Sequence, residues 1–73
     1  MNAKMLKYLV ELLDGGKEAD TISVDNFFNR FAKTSATLRD LRALHQSGYI
    51  TVLWADDDVD CISVNLKAIR YFM

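Results

Sequence analysis

The chain has 73 residues, 51% of them apolar, no proline and a formal net charge of −1. A chain of this size builds one small domain, buries only about 60% of its unfolded surface and leaves no room for a catalytic cleft between domains. The composition excludes a disordered or collagen-like chain, and the near-neutral charge gives no global sign of a nucleic-acid partner.

The opening residues MNAKMLKYLVELLDGG alternate charge with leucine at a helical period and never form the unbroken apolar run of a signal peptide. No later run approaches the roughly 18 residues that a membrane span needs. A cytoplasmic protein with no membrane partner is expected. Cys61, the single cysteine, excludes an internal disulfide and any zinc site built on paired cysteines, and is read as a small packed side chain.

Over residues 3–14, Met5, Leu6, Leu9, Val10, Leu12 and Leu13 cover well over a third of a helix circumference, so this first helix must be covered on more than one side. Gly15 and Gly16 are expected to end it, with a polar loop over residues 17–20. No strand precedes these glycines, so they are not read as a phosphate-binding turn. Thr21, Ile22 and Ser23 read as a short extended piece. Ser23 suits an N-cap, and Asp25 places a negative charge near the positive end of the helix dipole. In the second helix Val24, Phe27, Phe28 and Phe31 fall on one face and are assigned to the core, while Asn29, Arg30 and Lys33 stay outside.

Residues 32–35 are too few for anything but a turn. The third helix then runs to Ser47, with Thr34 or Ser35 as its cap and Gly48 as the left-handed residue that stops it. Thr37, Leu38, Leu41 and Leu44 share one side of this helix. Ser35, Arg39, Arg42 and Gln46 form a stripe on the opposite side, at spacings of four, three and four.

After Gly48 the period switches to alternation. Residues 49–55 and 59–64 are rich in β-branched and aromatic residues and flank Asp56, Asp57 and Asp58, which predicts a β-hairpin. Pairing Ile50 with Val64 and Val52 with Ile62 gives one apolar face, and a three-residue loop at 56–58 with Ala55 opposite Val59 achieves it. The tail carries Leu66, Ile69, Phe72 and Met73 at helical spacing after an Asn65 that suits a cap. It reads as a short last helix packed on the first.

The order helix, short extended piece, helix, turn, helix, hairpin resembles the winged helix-turn-helix domain of transcriptional regulators. The residues that carry the likeness are 22–50, ISVDNFFNRFAKTSATLRDLRALHQSGYI, and above all Leu41, Leu44, Gly48, Tyr49 and Ile50. The expected fold is therefore α+β: a single domain over residues 1–73, with three helices, a two-stranded β-hairpin wing and a short C-terminal helix. The resemblance implies that the third helix enters the major groove, with Ser35, Arg39, Arg42 and Gln46 reading bases; Arg30 and Lys33 are expected as further cations of the DNA-binding surface if the wing points away. Arginine suits guanine O6/N7 and glutamine suits adenine N6/N7. Two departures stand out: the turn before the third helix is about one residue short of the common pattern, and the wing is acidic where DNA-binding members usually carry basic residues.

Asp56, Asp57, Asp58 and Asp60 sit in a stretch, residues 51–64, without one lysine or arginine. Near DNA such a wing costs affinity, because phosphate binding relies on lysine and arginine displacing counterions. The alternative expectation is a protein-interaction winged helix, in which Trp54, Asp56, Asp57 and Asp58 dock a basic partner and no DNA is bound. A calcium loop starting at Asp56 fails, because its sixth position is Cys61 and its twelfth Lys67 where glycine and glutamate are needed. His45, the single histidine, lies at the edge of the third helix's apolar face and has no second ligand or nucleophile at useful spacing. Neither enzyme activity nor a metal or cofactor is expected. The apolar excess of the first helix and the tail predicts a homodimer through those two elements.

Overall fold

The computed structural model describes residues 1–13 and 21–73, so the helix stop expected at Gly15 and Gly16 and the loop over 17–20 lie outside the described residues. Four helices and three strands follow one another as α1 (Ala3–Leu13), β1 (Thr21–Ile22), α2 (Val24–Arg30), α3 (Ser35–Gln46), β2 (Ile50–Ala55), β3 (Asp58–Val64) and α4 (Leu66–Tyr71). The fold is α+β.

The helix boundaries follow from capping. Ser23 accepts the N–H of Asn26 through its hydroxyl at 3.2 Å and opens α2. Thr34, rather than Ser35, opens α3 by accepting the N–H of Thr37 at 3.3 Å. Gly48 closes α3 with φ +84°, a backbone state that L side chains resist, while the Tyr49 N–H donates back to the Leu44 carbonyl. Asn2 opens α1 by accepting the Met5 N–H, and its amide nitrogen donates to Asp40, which fixes the start of α1 against the middle of α3.

The sheet has three strands, not the two expected of a bare hairpin, in the order β1-β3-β2 and antiparallel throughout. The extended piece before Ser23 supplies the third strand, because Ile22 lies opposite Ile62 and both are buried. At the base of the hairpin Ile50 pairs with Val64 and Val52 with Ile62, as the apolar pattern predicts. The tip differs. Ala55 pairs with Asp58 and Trp54 with Val59, leaving a two-residue loop of Asp56 and Asp57, with Asp56 at φ +56°. The register then shifts between Leu53 and Trp54, and Asp60 is the extra residue of a β-bulge. The bulge reconciles a tighter turn with the apolar face: it lets Val59 and Ile62, three residues apart, both point inward.

The core joins one face of every layer: Met5, Leu6 and Leu9 of α1, Phe27 of α2, Leu41 and Leu44 of α3, and Ile50, Val52, Val59, Ile62 and Val64 of the sheet. Phe31 was expected among them and is only half-buried, because it forms the extended C-cap of α2 and stacks on Phe27 with ring centroids 5.2 Å apart. Helix α4 does pack on α1. Its inward residues, however, are Ala68 and half-buried Ile69, while Leu66, Phe72 and Met73 are exposed. Asn65 does not cap α4 with its side chain. Instead its amide donates to the Gly48 carbonyl and accepts from the Thr51 hydroxyl, which ties the end of β3 to the α3–β2 corner and turns α4.

Candidate functional site

Helix α3 buries Thr37, Leu41 and Leu44 and leaves Ser35, Arg39, Arg42 and Gln46 exposed, so the outer stripe read from the sequence is accessible along the whole helix. Its length of 12 residues corresponds to about 18 Å. No acidic residue occupies its first turn, so nothing there offsets the partial positive charge of the helix start.

The surroundings of the stripe are less simple than the sequence suggests. Strand β2 runs beside α3 as an edge strand of the sheet, and the two are joined by His45, whose Nδ1 accepts the Val52 N–H at 3.0 Å. An unpaired N–H on an edge strand is thereby satisfied from the helix. With the elements held in this way, the Arg42 guanidinium lies over the Trp54 ring, 4.6 Å from its centroid. Lys33, in the turn between α2 and α3, forms an ion pair with Asp58 at the hairpin tip and also sits 5.3 Å from the Phe28 ring centroid. The Lys33 ammonium, together with the Val59 backbone N–H, holds the Asp58 carboxyl below its ordinary value.

The structure thus unites two groups that the sequence reading kept apart: the cations Lys33 of the α2–α3 turn and Arg42 of α3, and the hairpin residues Trp54 and Asp58. Asp56 and Asp57 remain exposed at the tip. Arg30 is not part of this cluster. Its guanidinium stacks over Tyr8 of α1, 5.1 Å from the ring centroid, in an open groove of about 420 Å³ lined by Lys4, Lys7, Tyr8, Glu11, Arg30 and Phe31. Arg39 and Gln46 make no hydrogen bond or ion pair to another side chain among the described residues.

Sequence reasoning missed His45 as the link between helix and strand, although Arg42 and His45, three residues apart, share the flank of α3 that faces β2. It also missed Asn2 and Asp40 as the link on the other flank of α3. Among the described residues no three His, Cys, Asp or Glu side chains converge as metal ligands, and no helix is long and apolar enough to cross a membrane. Comparison with protein-family models, curated proteins and solved structures found no match.

Proposed function

We propose that the protein is a small winged helix-turn-helix regulator that binds duplex DNA through the outer stripe of α3. The observation that supports this reading is the separation of the two faces of α3, with Thr37, Leu41 and Leu44 in the core and Ser35, Arg39, Arg42 and Gln46 exposed on the opposite side. A stripe of this length spans roughly five base-pair steps. Its side chains carry the donors and acceptors that base edges in the major groove require. The ion pair between Lys33 and Asp58 softens the objection from the acidic wing, since one of its carboxylates is already matched by a cation of the α2–α3 turn.

The test is a titration with generic duplex DNA at increasing salt. If three lysine or arginine side chains neutralise about three phosphates, log affinity falls with log salt at a slope near −2.7, a loss of roughly 40-fold for a fourfold rise in salt. A slope near zero refutes the reading.

A second reading, a protein-interaction domain without DNA binding, is favoured by the exposure of Asp56 and Asp57 at the tip, a compact acidic surface suited to a basic protein partner.

A further inference from the structure

We propose that Trp54 is a positioning residue: it holds Arg42 in a base-reading conformation before DNA arrives. The inference rests on the duplex-DNA reading above. The Arg42 guanidinium lies 4.6 Å from the Trp54 ring centroid. A guanidinium stacked in this way uses its flat face, and its in-plane N–H groups remain at the rim. The fork that bonds guanine O6 and N7 is that rim, so the stack orders the side chain without consuming the donors that read the base.

The ring itself is fixed. Trp54 is half-buried against the core and pairs across the hairpin with Val59. Two residues before Trp54 on β2, the Val52 N–H donates to His45, which lies three residues after Arg42 on α3. The helix and the strand are therefore locked together within one helical turn of the stacked pair. Arg39, on the same stripe, stacks on no ring among the described residues and must be ordered by DNA itself. The two arginines are thus inequivalent, and base selectivity is concentrated at the pair that Arg42 reads.

The test uses the full chain and a pool of duplexes with a randomised centre, from which the wild type selects a preferred sequence. Trp54→Leu, Trp54→Phe and Arg42→Gln are then measured against that duplex, its single-pair variants and a scrambled duplex. The pairs read by Arg42 are those whose replacement no longer matters in Arg42→Gln. At these pairs Trp54→Leu is expected to lose about tenfold in discrimination while its affinity for the scrambled duplex changes by about twofold at most. Trp54→Phe, which keeps a ring face, retains most of the discrimination. If Trp54→Leu does not fold, Trp54→Met supplies the ringless side chain instead. Wild-type discrimination in the ringless variant overturns the proposal, as does an equal loss on every duplex, which marks a purely structural role. A wild type that binds no duplex overturns the proposal and the DNA reading together, whereas salt-dependent binding with an unaffected ringless variant overturns the positioning role alone. Free protein gives an independent readout. Trp54 is the only tryptophan, so Arg42→Gln is expected to change its emission in the absence of DNA, and unchanged emission removes the stack itself.

Discussion

His45 Nδ1 accepts the Val52 backbone N–H at 3.0 Å, and this one bond joins the outer helix α3 to the edge of the sheet. An acceptor at Nδ1 requires a lone pair there, so the neutral ring carries its proton on Nε2. Nitrogen chemical shifts of the imidazole are expected to report that tautomer. His45→Ala leaves the Val52 N–H without its partner and is expected to cost about 1–2 kcal/mol by denaturant titration. A loss near zero means that water replaces the bond at no cost, and α3 is then held to the sheet by the packing of Leu41 and Leu44 and by the stack of Arg42 on Trp54.

The sequence exposed some of this architecture and hid the rest for physical reasons. The cap at Ser23, a cap of α3 at Thr34 or Ser35, the inner face of α3 and the pairing of Val52 with Ile62 were legible, because each depends on local chemistry or on a short apolar period. The bulge at Asp60 was not legible. It arises from a two-residue turn that Asp56 permits by adopting φ +56°, and aspartate there signals only tolerance of that state. The inward side of α4 was misread because a helix of six residues takes its orientation from what it docks on. Small, fully buried Ala68 faces inward, and the larger Leu66 is left 66% exposed. The candidate site was half legible: the stripe on α3 was visible as a period, but exposed charges paired across the fold leave no periodic trace. The contacts of Arg42 with Trp54 and of Lys33 with Asp58 belong to that second kind.

The Lys33–Asp58 pair has a measurable titration. Lys33, with the Val59 N–H, lowers the Asp58 pKa from 3.8. A depressed carboxylate contributes stability above its unfolded pKa, and that contribution is lost as pH falls through the folded value. The tether between the α2–α3 turn and the hairpin tip is therefore complete at neutral pH and lost only in acid below 3.8. In a carboxyl-detected titration, Lys33→Met is expected to move the Asp58 midpoint up toward 3.8, leaving the smaller effect of Val59. An unchanged midpoint means that the ion pair does not persist in solution, as happens with many exposed pairs.

The two functional readings make opposite predictions for the hairpin tip. Asp58 is matched by Lys33, so the informative charges are those of Asp56 and Asp57, both exposed. If the tip lies beside DNA, Asp56→Asn with Asp57→Asn removes repulsion from the phosphates, and affinity for any duplex rises, most at low salt where screening is weakest. If the tip docks a basic protein surface, the same change leaves DNA behaviour untouched and slows association with that partner, because exposed complementary charges act mainly on the encounter rate. The fold is expected to survive either way: asparagine also accepts the left-handed backbone at position 56, and the inward residues Val52, Val59 and Ile62 are untouched. Duplex titration at two salt concentrations and association kinetics on a basic protein surface separate the cases. A variant that binds DNA no better and associates no more slowly reduces the acidic tip to a solvated hairpin end, and the site then consists of α3 and its stacked Arg42 alone.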